Sequence, residues 1–144
     1  MPILKKVDLE HYMLKQPVTV HPDASLFDAI HLILVNRISG LCVVDEAGKL
    51  LGLLSELDCL RGVLSATYNQ TAIGTVRDVM SASDIQVARP GDAIVDIAED
   101  MLQHKRRRRP VVDHAGHLIG QISIRQILRA VKEFSSPADH SERD

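Results

Sequence analysis

Two short stretches carry the side chains best placed to do chemistry. They are Ser55-x-x-Asp58, within GLLSELD, and Ser123-x-x-Gln126, within GQISIRQ. In each, an apolar run ends at the serine and a helical pattern begins, so the polar pair stands at a helix start. Unpaired backbone N–H groups and the helix dipole favour an anion there. The same spacing is a serviceable capping box, which needs no ligand. Spacing alone leaves both readings open. The two stretches also differ, because Gln126 stands where the first has Asp58, and a neutral amide offers one acceptor oxygen.

The run Lys105–Arg109 is the densest charge in the chain. Three readings apply to it: a solvated turn and strand edge, one or two arginines of Arg107–Arg109 reaching ligand phosphates, or a nucleic-acid contact through Arg106–Arg109. Only Tyr12, Tyr68, Phe27 and Phe134 are aromatic and tryptophan is absent, which argues against a stacking platform for single strands. His114-x-x-His117 lies in a turn with no third ligand fixed by spacing, so no metal site is expected. Cys42 and Cys59 belong to no Cys-x-x-Cys pair and read as small core residues in a reducing compartment. No Gly-x-Ser-x-Gly, Cys/His pair or Gly-rich phosphate loop is present, and an enzyme is not expected.

The elements that hold these residues are duplicated. Pro22/Pro90, Asp28/Asp96, Asp45/Asp113, Gly48/Gly116, Gly52/Gly120, Ser55/Ser123 and Leu60/Leu128 all pair at a constant offset of 68 residues. The first copy begins with a β-branched strand at Val18–Val20. A helix follows, with Leu26, Ile30, Ile33 and Leu34 along one face. Strands at Leu41–Asp45 and Leu50–Leu54 flank a glycine turn, and a second helix from Glu56 carries Leu57, Leu60 and Leu64. The second copy repeats this order: a strand at Ile85–Ala88, a helix with Ile94, Ile97, Ala98, Met101 and Leu102 inward, and strands at Arg109–Asp113 and Leu118–Ser123. Its closing helix carries Ile124, Ile127, Leu128 and Val131. The expected division is a lead-in over 1–15, units over 16–65 and 77–134, a polar linker over 66–76 and a disordered tail over 135–144.

The fold class expected is α+β, with two pseudo-symmetric β-α-β-β-α units packed as an intramolecular pair and a cleft between them. At 144 residues, 45% hydrophobic and 25% charged, the chain has the composition of a soluble globular protein. Its net charge of −2 gives no overall attraction to nucleic acid or an anionic membrane. No apolar run reaches bilayer length, and Met1–Lys6 leads into no signal-peptide core. A cytoplasmic protein is expected.

The duplicated hairpin and helix-start motifs, Val43-Val44-Asp45 with Gly48 and Gly52 to Asp58, then Pro110 to Asp113 with Gly116 and Gly120 to Gln126, resemble a tandem pair of CBS domains over residues 12–134. The resemblance implies a homodimer and clefts that take adenine nucleotides (AMP, ADP or ATP) or S-adenosylmethionine as regulatory ligands. It further implies that the motif serine contacts phosphate and the aspartate the ribose. Carried onto this chain, the ligand-binding residues are Thr19, Val20, Ser39, Gly40, Leu41, Gly52, Ser55, Asp58, Arg109, Pro110, Ser123 and Gln126. The ribose role is expected of the first copy and doubtful in the second, because of Gln126. With little chain outside the two copies, the expected function is a stand-alone sensor signalling to a separate protein. The alternatives are a ligand-free dimerisation scaffold and a weak nucleic-acid binder through Arg106–Arg109.

Overall fold

A computed structural model describes the backbone of residues 8–143 and the side chains of residues 8–133. The expectation for Met1–Lys6 lies outside the described residues. The chain is α+β, in the order α1 (Leu9–Tyr12), β1 (Leu14–Lys15), β2 (Thr19–Val20), α2 (Leu26–Val35), β3 (Gly40–Val44), β4 (Leu50–Ser55) and α3 (Glu56–Asn69). It continues through α4 (Val76–Val79), α5 (Ile94–Gln103), β5 (Arg108–Val112), β6 (Leu118–Ser123) and α6 (Ile124–Arg143). Helix α3 runs four residues past the expected end of the first unit and stops where Gln70 takes a left-handed conformation. Helix α6 occupies 135–143, the stretch expected as a tail.

The strands form two three-stranded sheets, β2-β3-β4 and β1-β6-β5. In the first, β2 runs parallel to β3 and β3 antiparallel to β4, the hairpin turning at Gly48 with φ +85°. That left-handed conformation suits glycine. Asp45 orders the same turn, its carboxylate accepting from the N–H groups of Ala47 and Lys49 at 3.0 and 2.9 Å. The strand expected at Ile85–Ala88 shrinks to one parallel bridge, Ala88 to Val111. Ala88 donates to the carbonyl of Pro110 and accepts from the N–H of Val112, so extending the strand to Gln86 would require an N–H from Pro110. Proline has none. Cys42 stands at the corresponding place in the first copy, and β2 forms there.

The chain divides into two compact units, and their membership is not that of the two sequence copies. One unit takes the segment ending at Gln16 with Gln86–His114 and the chain from Ile119 onward; the other takes Pro17–Ile85 with Ala115–Leu118. We call them the second-copy and first-copy units. Strand β1, preceding the first copy, pairs antiparallel with β6 of the second, and Leu9 of α1 is buried in that core among Ile94, Met101, Val111, Ile122 and Ile127. Conversely, Val76 of α4, preceding the second copy, is buried among Leu26, Ile33, Val43 and Leu54, and Ser81 bridges Leu53 through two hydrogen bonds of 2.9 Å. The lead-in and the start of the expected second unit therefore each complete the edge of the other copy's sheet. An uncovered edge strand would otherwise leave a row of unpaired backbone groups. The turn Ala115–Leu118 joins the first-copy unit by pairing with the first hairpin: Leu50 donates to Gly116 and Leu118 to Gly48, at 3.0 and 2.9 Å.

The helical stripes are only half buried. In α2, Leu26, Ala29 and Ile33 are interior, while Leu34 is 67% exposed. In α3 the apolar row Leu57, Leu60 and Leu64 is exposed, and Asp58, Cys59 and Ala66 are buried. Leu102 and Leu128, the second-copy equivalents of Leu34 and Leu60, are likewise exposed. Each stripe is wider than the face its sheet can cover, and the surplus lies on the far side of the helix pair.

Candidate functional site

In the first-copy unit, β3 starts, β4 ends and α3 begins at one end of the sheet, because β3 and β4 are antiparallel and Gly40 lies opposite Ser55. Parallel β2 brings Thr19 to the same end, opposite Cys42. Ser39 caps the approach by accepting from the N–H of Glu56 at 3.0 Å through its carbonyl. Thr19, Ser39, Gly40, Ser55 and Asp58 are thus gathered by the topology. Val20 and Leu41 belong to this group by backbone only, since their side chains are buried in the core. Gly52 sits opposite Val43, deeper in the sheet. A methyl group there would come within 2.6 Å of the Ser81 carbonyl oxygen and 3.1 Å of the Met80 sulfur. Its lack of a side chain makes room for Met80 and Ser81 of the same unit, whereas the resemblance implies a ligand contact there.

The start of α3 is a complete capping box. The Ser55 hydroxyl accepts from the Asp58 N–H at 3.1 Å, and the Asp58 carboxylate accepts from the Ser55 N–H at 2.8 Å through Oδ2. The other carboxylate oxygen, Oδ1, accepts from Arg61 at 3.0 Å. Asp58 is only 8% exposed, but the Arg61 side chain is 72% exposed. Arg61 was not singled out from the sequence, although its place three residues after Asp58 on one helix face was a usable signal.

The second-copy unit holds the remaining candidates in a different state. The Ser123 N–H and hydroxyl both donate to the Gln126 side-chain oxygen, at 2.9 and 3.0 Å, and the Gln126 N–H donates back to Ser123 at 3.2 Å. The single acceptor oxygen of the amide is consumed within the cap. Arg109, offered as a phosphate ligand, is buried, and its guanidinium donates to the Asp100 carboxylate of α5. His104 adds a contact from Nδ1 to Asp100 at 3.1 Å. The hydrogen bond from Arg109 holds the Asp100 carboxyl below its ordinary range, with the charges of Arg109 and His104 acting the same way and desolvation opposing them. Pro110 is buried and uses its carbonyl to accept from Ala88. Arg109 and Pro110 are therefore structural parts of this unit.

Cys42 and Cys59 are buried and not joined in a disulfide, and burial pushes the Cys59 thiol up. Among the described residues no group of three histidine, cysteine or acidic side chains is arranged to hold a metal. Among them, too, no helix is long and apolar enough to cross a membrane.

Two copies of one cap, one hairpin and one crossover match a family model, the CBS domain, at residues 8–65 and again at 76–133. The chain belongs to the CBS domain family. Both matches begin at the short helix that packs on the other copy, so the family's sequence unit and the folded unit are offset by that segment. Inosine-5'-monophosphate dehydrogenase of Bifidobacterium longum is 33% identical over 93% of the chain, which spans only 24% of that enzyme. Protein MJ1426 of Methanocaldococcus jannaschii is 31% identical over 83% of the chain and 88% of its own length. Among solved structures, CBSX2 of Arabidopsis thaliana in complex with AMP superposes with a TM-score of 0.78 at 30% identity, covering 89% of this chain and 98% of that one.

Proposed function

We propose that this CBS pair is a regulatory module that binds an adenine nucleotide or adenosyl ligand at the first copy's site and signals its occupancy to a separate partner protein. The observation that carries the reading is the state of Asp58. It is held in place by the cap through one oxygen, while the other is shared only with a solvent-exposed arginine. A ribose diol can take that second oxygen without dismantling the cap, because a carboxylate has lone pairs to spare. Arg61, once displaced, is free to meet a phosphate. Gln126 has no such reserve, so one competent site per chain is expected. The CBSX2 complex with AMP supports the ligand class.

Thermal unfolding against AMP, ADP, ATP and S-adenosylmethionine tests this. A ligand at 100 times its dissociation constant adds about 2.7 kcal/mol, and the midpoint should rise by several degrees. Asp58→Asn should abolish the rise while costing less than about 1–2 kcal/mol of stability, the usual scale of a weakened cap. No rise with any of the four, in protein free of bound nucleotide, would favour the ligand-free scaffold reading. The completeness of both caps without a ligand supports that second reading.

The same reading includes a homodimer. Leu34, Leu57, Leu60 and Leu64 stand exposed on α2 and α3, and the groove between these helices is lined by Ile30, Ile33, Leu60 and Val63. An apolar face of this kind marks an interaction surface. Leu60→Glu should convert a dimer to monomer in sedimentation equilibrium; a variant that sediments like the parent protein would remove α2 and α3 from the interface.

A further inference from the structure

Helices α1 and α4 play the same part in the two units, so each can be compared with the other. Each is a single turn after a polar cap residue, Asp8 or Thr75, and each sends one buried residue, Leu9 or Val76, into its core. A methionine follows each, Met13 or Met80, and stands against the matching glycine, Gly120 or Gly52. Aligned in this way, Tyr12 corresponds to Val79 and His11 to Asp78. On the longer helices, Ala130 and Glu133 of α6 correspond to Gly62 and Ser65 of α3. In the second-copy unit the Tyr12 side chain packs against the core and its hydroxyl donates to Glu133. In the first-copy unit the residues at all three places are smaller. A pocket of about 220 Å³ lies there, between the second half of α3, the linker and α4.

Leu26, Ala66 and Val79 give this pocket its apolar contact, and Ser65, Thr75 and Asp78 its polar groups. Asp78 accepts through Oδ2 from the Thr75 N–H and hydroxyl, at 2.9 and 3.3 Å. Among the described residues its Oδ1 accepts from no donor. The Ser65 hydroxyl accepts from Asn69 at 3.3 Å and keeps its own proton to donate. His11, at the place of Asp78, holds its ring 4.8 Å from that of Tyr12, so a group on Asp78 stands beside a ring seated as Tyr12 is.

We propose that this pocket binds a small molecule made of one phenol ring and an ammonium group. The ring takes the seat that Tyr12 fills in the other unit, the hydroxyl meets Ser65 and the ammonium meets Oδ1 of Asp78. A cavity of about 150 Å³ already takes a benzene ring, so the volume here admits a ring with a short chain. The unshared carboxylate oxygen selects for the cation. A nucleotide is larger and brings its phosphate charge against Asp78. The pocket is therefore a second site, on the half of α3 remote from Ser55 and Asp58.

The test is heteronuclear NMR of the full chain titrated with tyramine. Saturable shifts should appear at the amides of Ser65, Ala66, Thr75 and Val79. The carboxylate analogue of tyramine, which reverses the charge, and butylamine, which lacks the ring, should each bind at least roughly tenfold more weakly. Asp78→Asn keeps an oxygen for the cap and should weaken tyramine by a similar factor. Ser65→Glu/Val79→Tyr gives the first-copy unit the side chains of the second; it should raise the thermal midpoint and abolish tyramine binding. No saturable shift, shifts confined to other residues, or equal binding of either analogue would overturn the proposal. So would a folded double variant that binds tyramine like the parent protein. If that variant does not fold, Asp78→Asn decides: parent-like affinity overturns the proposal, and a tenfold loss upholds it.

Discussion

Leu32 and Leu41 of the first copy become Asp100 and Arg109 in the second. Two apolar residues of one core, one on a helix and one on a strand, have been exchanged for an ion pair, with both members changed together. Arg109 is 6% exposed, so a buried guanidinium depends on one carboxylate. Removing one partner of such a pair costs far more than replacing both by apolar groups. Asp100→Leu should therefore lower the thermal midpoint by several degrees, and Asp100→Leu/Arg109→Leu should recover most of the loss. A double-mutant cycle by calorimetry reads the coupling directly, and additive effects would refute it. Because Arg109 depresses the Asp100 pKa in the folded state, its stabilisation is fully present above the unfolded value of about 3.9. It fades as pH falls through the lower folded value. The stability gap between the parent protein and Asp100→Asn should accordingly be widest near neutral pH and close in acid. The cap pairs were legible in the sequence because they are local, three residues apart. The Asp100–Arg109 pair was not, because it joins a helix to a strand across a turn that fixes no spacing rule; aligning the two copies would have exposed it.

At the scale of elements, the exchanged segments explain two glycines. A methyl group on Gly120 would stand 2.6 Å from the Met13 sulfur and 2.9 Å from the Leu14 carbonyl oxygen, just as Gly52 faces Met80 and Ser81. Gly120→Ala should push β1 off β6, costing on the order of 1–3 kcal/mol. Faster hydrogen exchange at the amides of β1, with β5 unaffected, would be its signature. The two helices and the hairpin of each copy were legible in type and order, since the hydrophobic periods of 2 and 3.6 repeat in both copies, whereas β1 and α4 lie outside that repeat. The partner of each edge was not. Residues 9–15 precede the first copy, and nothing in their pattern says that they pair with residues 120 and 121. Which half of a wide helical stripe faces inward was equally hidden: Leu34 and Ile33 are alike as residues, and only the sheet beneath decides between them.

At the scale of the whole molecule, the folded units predict where the chain can be divided. A fragment spanning 17–85 keeps β2, β3 and β4 together with α4 and the Ser81 bridge, and it should unfold cooperatively. A fragment spanning 8–69 follows the sequence copy but lacks the segment that covers β4. It should show weaker cooperativity and a tendency to aggregate, measurable by urea denaturation and light scattering. The reverse order of stability would mean that the exchanged segments contribute little. The same crossing of segments bears on how such a chain could arise. A molecule with one copy and the same leading arm could complete its sheet by lending that arm to a second molecule, a domain swap between identical chains. Fused end to end, two such molecules would keep the swap and lose their dependence on concentration, since each arm's acceptor is then tethered to it. In this chain the borrowed edge has become an internal debt that the two copies hold against each other.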